Sequence, residues 1–397
     1  MTELLFLTNL SIVLVIGLFI TLISRKLKIS NVLLLLLSGI LISSLSVDGI
    51  QIISFPSDFL SSIAVLALVM IVFDAASRFK IKEFSLLSGE AIRLSFVFLV
   101  VNVIILTIAS LFLFKIQSVF IAFLFASLMS GTDPGAILAM FSGSKNKVVE
   151  LIEIESLVNT PLIVLLPFIT LDIMSNFTGS FGLSTILEQL VPFLQQFVAG
   201  MGAGLLVGLI AFRLMKKGYS DKLSPLALIT AALLTYILAE NLGGSGVLAV
   251  TVMGLFFGNI YVKEKGKLFE FSGIFAHALE ILVFVLIGLI VRIPFTADFF
   301  IRSSLLFVLY IIARFIAVNL SFQKEFKFKE KLFMSLNVQK GIAVAVVAFS
   351  FAALNIEGIN TVLNLTLVFM LYSILLSTVL AKFADLFIGE KADPKDD

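Results

Sequence analysis

Long apolar stretches, separated by short polar segments, run along the whole chain. Leu4–Ile23, Leu94–Phe114 and Val362–Leu380 are each long enough to cross the roughly 30 Å hydrocarbon layer of a membrane as a helix. Inside lipid every backbone N–H and C=O group must be paired within its own element, so these stretches must be helical. The pattern predicts thirteen spans, at 4–24, 31–47, 58–76, 93–114, 118–142, 149–174, 188–214, 224–240, 245–262, 271–292, 299–320, 331–354 and 360–384.

The composition agrees with an all-α polytopic membrane protein embedded in a lipid bilayer. Of the 397 residues, 60% are hydrophobic and 14% are charged, and the mean hydropathy is +1.15. A soluble domain is typically about 45–50% apolar and about 25% charged. A net charge of +2 does not support nucleic-acid binding, and the absence of cysteine excludes thiol chemistry. The single histidine, His277, excludes a cluster of metal-binding histidines, and neither a cofactor nor enzymatic activity is predicted.

The basic residues predict the orientation in the cell membrane. With the N-terminus outside and the C-terminus in the cytoplasm, twenty-three of the 28 Lys and Arg residues fall in cytoplasmic segments. External segments hold only Lys115, Arg292 and Arg302, which is the asymmetry typical of multi-pass proteins. The first stretch has no leading positive charge and is followed by Arg25 and Lys26, so we interpret it as a retained span rather than a signal peptide.

The spans also predict one membrane domain built from two halves of six helices. Repeat 1 covers about 1–175 and repeat 2 about 224–384, with a linking helix at about 188–214 and a short cytoplasmic tail at 385–397. Because the connecting span makes the halves enter the membrane from opposite sides, the topology is that of inverted repeats in secondary transporters.

Two corresponding spans carry helix-breaking residues near their centres, where transporters commonly bind their substrates. Span 5 contains Ser130–Gly135, in which Asp133 precedes a proline. Span 12 contains Asn337–Gly341, in which Lys340 precedes the glycine. Proline removes a backbone donor and glycine weakens a helix, so the sequence predicts two crossed, broken helices. Asp133 could then offset positive helix N-termini and Lys340 negative C-termini. The alternative is a simple proline kink with a lysine that extends to the membrane surface.

Span 6 carries Asn159, Thr160 and Pro161 near its midpoint. An amide oxygen, a hydroxyl and a carbonyl left unpaired by the proline are suitable ligands for a hard, partly dehydrated cation. Together with Thr132 and Asp133 of span 5, these residues are the candidate ligands of a cation. The alternative is a kinked helix whose polar residues bond to neighbouring helices.

Glu155 and Arg314 are predicted to form a structural ion pair. Glu155 lies about 9 Å before the midpoint of its span and Arg314 about 7 Å after the midpoint of a span of opposite direction, at 1.5 Å per residue. Both therefore lie at a similar depth on the cytoplasmic side. A charge inside the membrane costs about 2.5–3.5 kcal/mol on insertion scales, so pairing is expected. We do not interpret this pair as a ligand of the transported ion.

Two further acids and the histidine lie inside or near spans. Asp74, toward the cytoplasmic end of span 3, could line an entrance funnel, although an interfacial charge beside Arg78 is the favoured interpretation. Glu280 lies at the centre of span 10, where an unpaired acid is not expected to face lipid. His277 is one turn away, could bond to Glu280, and is interpreted as structural.

Five short segments are distinctive through their order and spacing. They are Phe73-Asp74-Ala75-Ala76, Thr132-Asp133-Pro134, Glu155-Ser156-Leu157-Val158-Asn159, Phe284-Val285-Leu286-Ile287-Gly288 and Ala313-Arg314-Phe315-Ile316-Ala317-Val318. Together they resemble the monovalent cation/proton antiporter superfamily, in particular its NhaP-type sodium/proton exchangers. Each segment is weak evidence alone, whereas their arrangement on thirteen spans is specific and covers nearly the whole chain.

The resemblance implies a homodimeric antiporter that exchanges Na⁺, Li⁺ or K⁺ for H⁺ by alternating access. A core domain with the crossed helices would move against a dimerisation domain, and a cation and a proton would compete for one carboxylate. The family places its principal ion-binding aspartate where this chain has Thr160, and its RGA segment reads Lys340-Gly341-Ile342 here. Asp133 is therefore the predicted exchangeable carboxylate, with Asn159 and Thr160 as neutral ligands.

Two other functions stay open at this point. A transport-inactive sensor or regulator would keep the fold without exchange. A transporter of another solute would use different chemistry, such as an anion attracted to Lys340.

Overall fold

The computed structural model describes residues 3–27, 31–44, 46–47, 50–51, 53–79, 87–133, 146–176, 183–217, 220, 222–291, 293–352 and 356–388. These residues form helices and one short antiparallel ribbon, in which Ser46 pairs with Gln51. The ribbon strands are β1 (Ser46–Val47) and β2 (Ile50–Gln51). The helices are α1 (Glu3–Leu27), α2 (Asn31–Ser44), α3 (Ser57–Ser77), α4 (Leu87–Phe114), α5 (Val119–Leu128), α6 (Lys147–Asn176), α7 (Leu183–Lys217), α8 (Leu223–Asn241), α9 (Gly246–Asn259), α10 (Lys265–Ile290), α11 (Ala297–Ser321), α12 (Phe328–Leu336), α13 (Ile342–Ala352), α14 (Ile359–Lys382) and α15 (Asp385–Ile388).

The chain is a multi-pass, all-helical membrane protein, as the hydrophobic pattern predicts. Within the described ranges, eight helices are long and apolar enough to cross a membrane. Shorter apolar helices accompany them, at Asn31–Ser44, Val119–Leu128, Leu162–Leu171 and Gly246–Asn259. The all-α class is therefore confirmed, whereas the number of thirteen spans stays a prediction.

Two of the predicted spans are interrupted. Span 5 begins as α5, which ends at Leu128, and residues 129–133 follow it without helical structure; we call these residues break 1. The rest of that span, including Pro134 and Gly135, lies outside the described residues. Span 12 consists of α12 and α13, separated by residues 337–341, which we call break 2. Span 6, in contrast, continues as one helix through Pro161.

The chain divides into two compact units, of which the first comprises Met1–Leu60, Ser85–Ile163 and Ile281–Asp397. Within it, α4 packs against α5 and α11, and α14 packs against α5 and α13. A cluster of buried apolar side chains, which includes Leu94, Val318 and Leu380, joins α4, α11 and α14. The end of α10 approaches α2 so closely that a Cβ at Gly39 would lie 2.8 Å from Gly288 Cα. Only glycine permits that separation.

The second unit comprises Ser61–Phe84 and Val164–Glu280. Its helices α7, α8 and α9 pack against one another through small residues, including the buried Ala203, Ala239 and Ala249. A Cβ at Gly200 would lie 2.8 Å from the carbonyl oxygen of Ser245. Small residues at these positions let helix backbones approach, which is how helices associate where lipid removes the hydrophobic driving force. The division into inverted repeats stays a prediction.

Candidate functional site

The two breaks meet within the first unit. The backbone N–H of Asp133, in break 1, donates to the carbonyl oxygen of Gln339, in break 2, at 2.8 Å. Backbone groups outside a helix need partners when water is excluded, and here each break supplies one for the other. The predicted pairing of spans 5 and 12 therefore has a direct contact at its centre.

The Asp133 side chain lies against the backbone of break 2. A Cβ added at Gly341 would collide with the carboxyl group of Asp133. Glycine at this position therefore makes room for the carboxylate, which is half-buried. This explains in steric terms why Lys340 is followed by glycine and not by a larger residue.

Lys340 is 1% exposed, and its ammonium group points to the end of α5. Its Nζ donates to the carbonyl oxygens of Met129 and Gly131, both at 2.6 Å, and to the hydroxyl of Tyr310 at 2.5 Å. The ammonium also lies 4.3 Å from the centroid of the Tyr310 ring. An ammonium has three donors, and these three oxygens use all of them. A positive charge at a helix C-terminus is electrostatically favourable.

Asn159 joins α6 to break 1. Its Nδ2 donates to Thr132 Oγ1 at 2.9 Å, and both residues are buried. In the part of the chain that the structure describes, Asn159 Oδ1 has no hydrogen-bond donor. Thr160 follows in the same helix, but only its backbone lies within the described residues. Thus Thr132, Asp133 and Asn159 come together as oxygen-bearing residues, with one carboxylate among them.

Glu155 and Arg314 form a bidentate ion pair in the same unit, and both are 0% exposed. Arg314 Nη2 donates to Glu155 Oε2 at 2.6 Å, and Nη1 donates to Oε1. Arg314 Nε also donates to the carbonyl of Met334 at 3.4 Å, and the guanidinium lies 4.6 Å from the centroid of the Phe98 ring. Because both carboxylate oxygens of Glu155 are engaged by the guanidinium, this arrangement is typical of a structural pair and not of a ligand for a transported cation.

Asp74 and Glu280 belong to the second compact unit. Asp74 accepts hydrogen bonds from Arg78 Nε at 2.8 Å and from Ser272 Oγ at 2.8 Å. The Asp74 carboxylate raises the pKa of Arg78, mainly through this hydrogen bond. Glu280 Oε2 lies 2.9 Å from His277 Nδ1. Each acid thus has a basic partner three or four residues away in the sequence.

Sequence reasoning did not assign three residues at the breaks: Asn102, Tyr310 and Gln339. Asn102 Nδ2, on α4, donates to the carbonyl of Ala126 at 2.9 Å and to Ser130 Oγ at 3.0 Å. Asn102 could have been identified because it is a lone amide at the centre of an apolar span. Tyr310 is less conspicuous in the sequence, since only its position one helical turn before Arg314 sets it apart. Gln339 lies in a break that the sequence identifies, beside a lysine that draws more attention.

Comparisons with known proteins match this architecture over most of the chain. A family described as "Sodium/hydrogen exchanger, transmembrane" matches residues 11–383. The K(+)/H(+) antiporter NhaP2 of Shewanella sp. (strain ANA-3) is 24% identical over 382 residues, which cover 94% of this chain and 66% of the relative. The probable Na(+)/H(+) antiporter 2 of Methanocaldococcus jannaschii is 28% identical over 310 residues, covering 74% of this chain and 71% of the relative. This chain thus spans slightly less than two thirds of the Shewanella relative's length.

The fold also matches a solved structure. The sodium proton antiporter MjNhaP1 from Methanocaldococcus jannaschii, at pH 8, superimposes with a TM-score of 0.77 at 22% sequence identity. The match covers 98% of this chain and 100% of that chain. It shows that the two proteins share a fold.

Proposed function

The chain belongs to the sodium/hydrogen exchanger family, and we propose that it is a secondary transporter that exchanges a monovalent cation, Na⁺, Li⁺ or K⁺, for protons. The observation that carries the proposal is the position of Asp133 at the meeting of two helix breaks. The names of the relatives, K(+)/H(+) and Na(+)/H(+) antiporters, agree with it.

Asp133 is the proposed exchangeable carboxylate. A carboxylate in the membrane interior is costly when it is charged and alone, so it holds either a proton or a cation. Competition between the two for one group couples their movements. Because the breaks lie near the centres of their spans, a rigid movement of the surrounding helices would expose this group alternately to each side of the membrane.

Neutral oxygens complete the proposed ion site. Asn159 Oδ1 is buried and, within the described residues, accepts no hydrogen bond, which suits a ligand that awaits a positive charge. Thr132 Oγ1 lies beside it, and the Thr160 hydroxyl is the third proposed ligand. With one carboxylate in this set, we propose that at most one titrating acid is exchanged per cycle, as in one-for-one exchange.

The same proposal assigns roles to the other charges. Glu155, Arg314 and Lys340 stabilise the helices around the site rather than bind the ion. Asp74 and Glu280 remain candidates for accessory acids, and the partners seen for them favour a structural role. We further propose an external N-terminus in the cell membrane, which the excess of basic residues in the predicted cytoplasmic segments supports. The homodimer is proposed from the resemblance to the family alone.

The surroundings of Lys340 do not favour the alternative of anion transport. An anion attracted to this lysine would need one of its three donors, and those donors already bond to three protein oxygens. A transport-inactive regulator makes a simple contrary prediction, because purified protein would then exchange no ion.

The test is exchange in proteoliposomes with Li⁺, Na⁺ and K⁺, and with chloride and phosphate as anion probes. We expect cation-dependent proton movement by the wild type and none by Asp133→Asn, with both proteins folded. Asp298→Asn is the matched control, since Asp298 is an exposed acid paired with Arg302, and it should exchange normally. Robust exchange by Asp133→Asn would remove Asp133 from the mechanism, and absence of exchange by the wild type would reject the function.

A further inference from the structure

Gln339 carries a buried oxygen that the protein leaves without a donor. In the portion of the chain described by the structure, its side-chain Oε1 is shielded from solvent and accepts no hydrogen bond. Roughly 90% or more of buried polar groups in proteins have a partner, so each exception calls for a physical reason. We propose that Gln339 Oε1 is a ligand of the transported cation, together with Asp133 and Asn159. This inference rests on the proposed function.

The position of Gln339 supports this assignment. Its backbone carbonyl accepts the N–H of Asp133 at 2.8 Å, so the residue is bonded directly to the one that carries the proposed exchangeable acid. Two residues later, Gly341 is in contact with the Asp133 side chain. On the other side, Asn159 is tied to Thr132, which precedes Asp133. Break 2 and α6 therefore each contribute an oxygen-bearing residue that is hydrogen-bonded to Asp133 or to its neighbour Thr132 in break 1.

The chemistry of the oxygen also fits an alkali cation. A hard cation that has lost part of its hydration shell takes oxygen ligands, including the amide oxygens of Asn and Gln. Asn159 Oδ1 and Gln339 Oε1 are both amide oxygens without donors within the described residues. A bound cation would give both amide oxygens the positively charged partner that they lack. These oxygens would in turn complete the coordination of a cation that has only one carboxylate ligand.

Other unpartnered amides at the breaks fit less well. Asn337 lacks partners for both Nδ2 and Oδ1 in the described part of the chain, and a cation could not serve its amide N–H groups. Asn102 Oδ1 also lacks a donor there, but the Asn102 amide bonds to Ser130 and Ala126 at the end of α5. Gln339 is the amide whose own backbone is bonded to Asp133.

The proposal makes an unusual prediction for Gln339→Met, which keeps the length of the side chain but removes the oxygen. Without added cation this variant should be at least as stable as the wild type, because an unpaired buried acceptor is replaced by an apolar group. Its apparent affinity for the cation should nevertheless fall by about tenfold to a hundredfold, the value of a contact to a charged group. A merely structural glutamine would show the opposite pattern, with lower stability and unchanged affinity.

The measurement is the thermal stability of purified protein in detergent, titrated with LiCl, NaCl or KCl against choline chloride at constant ionic strength. Thr366→Val is the matched control. Thr366 Oγ1, on α14, is likewise buried without a donor in the described residues, and apolar residues such as Leu367 and Met370 adjoin it. This control should be as stable as the wild type and should respond to the cation with unchanged affinity.

Wild-type affinity in Gln339→Met would overturn the proposal. If that variant does not fold, Gln339→Glu decides, because it retains an oxygen at the same position. A cation response equal to or stronger than that of the wild type supports a ligand role, and loss of the response overturns it. Transport separates this result from the function itself. If the wild type exchanges cations and Gln339→Met exchanges them equally well, Gln339 is not a ligand but the proposed function stands. If the wild type exchanges no cation, both proposals are rejected.

Discussion

The pair of Glu155 and Arg314 allows the energetics of this membrane interior to be tested. Arg314→Met removes both donors to the Glu155 carboxylate, as well as the hydrogen bond to Met334 and the stacking on Phe98. Both charged side chains are 0% exposed, so water cannot replace the lost donors. The variant therefore leaves a buried carboxylate without its bidentate partner.

The structure permits an estimate of the loss in unfolding free energy. Removing one partner of a buried ion pair typically costs about 3–5 kcal/mol. A desolvated cation–π contact adds about 2 kcal/mol. We therefore expect Arg314→Met to lose about 3–7 kcal/mol. The double variant Glu155→Met/Arg314→Met should recover much of this loss, because replacing a whole buried pair by apolar residues of similar size is often close to neutral.

The assay is unfolding of purified protein in mild detergent by titration with a denaturing detergent. Arg302→Met is the matched control on the same helix, α11, where the guanidinium is 38% exposed, pairs with Asp298 at 2.8 Å and also donates to the carbonyl of Leu113 at 2.9 Å. An exposed pair contributes about 0–1 kcal/mol, so this variant should lose far less stability than Arg314→Met. Glu155→Met is measured as the second single variant. The reasoning is refuted if the losses of Glu155→Met and Arg314→Met sum to the loss of the double variant within about 0.5 kcal/mol, since additivity means that the residues are not coupled.

Two further predictions test the site and the topology. Gly341→Ala should slow exchange severely while leaving the protein folded, because the new Cβ would displace the Asp133 carboxyl group. Gly89→Ala is the control, since a Cβ there would meet no atom within 4 Å, and it should exchange normally. Equal exchange rates in the two variants would contradict the contact between Gly341 and Asp133. Because the chain has no cysteine, Lys327→Cys and Glu357→Cys can be labelled selectively. The first should react only from the cytoplasmic side and the second only from outside, and the reverse pattern would invert the predicted orientation.

The sequence predicts the spans, the depth of charged residues and the helix breaks, because each of these depends only on position along one helix. The apolar runs determine the spans because lipid imposes a length and a polarity on each of them. The rise per residue is equally general, and it predicts that Glu155 and Arg314 lie at the same depth. Proline and glycine act through the local backbone, so both breaks can be recognised before any contact is known.

The partners of each break depend on the crossing of distant segments, which periodicity does not encode. Lys340 shows the difference. Its sequence context suggests a charge that offsets a helix end, but its acceptors are carbonyls of Met129 and Gly131 and the hydroxyl of Tyr310, on two other elements. Gln339 was passed over for the same reason, because an amide is recognisable as unpartnered only once its neighbours are placed.

The end of α5 illustrates how these distant residues determine local structure. The last carbonyls of any helix have no partner within the helix, and α5 ends in a membrane interior where water cannot supply one. Here Asn102 donates to the carbonyl of Ala126, while Lys340 donates to those of Met129 and Gly131. The helix ends at Leu128, several residues before Pro134, so the proline alone does not set the end. Side chains from α4 and break 2 thus supply donors to one carbonyl of the last turn and to two carbonyls of break 1. The position of Asp133 therefore depends on residues far away in the sequence.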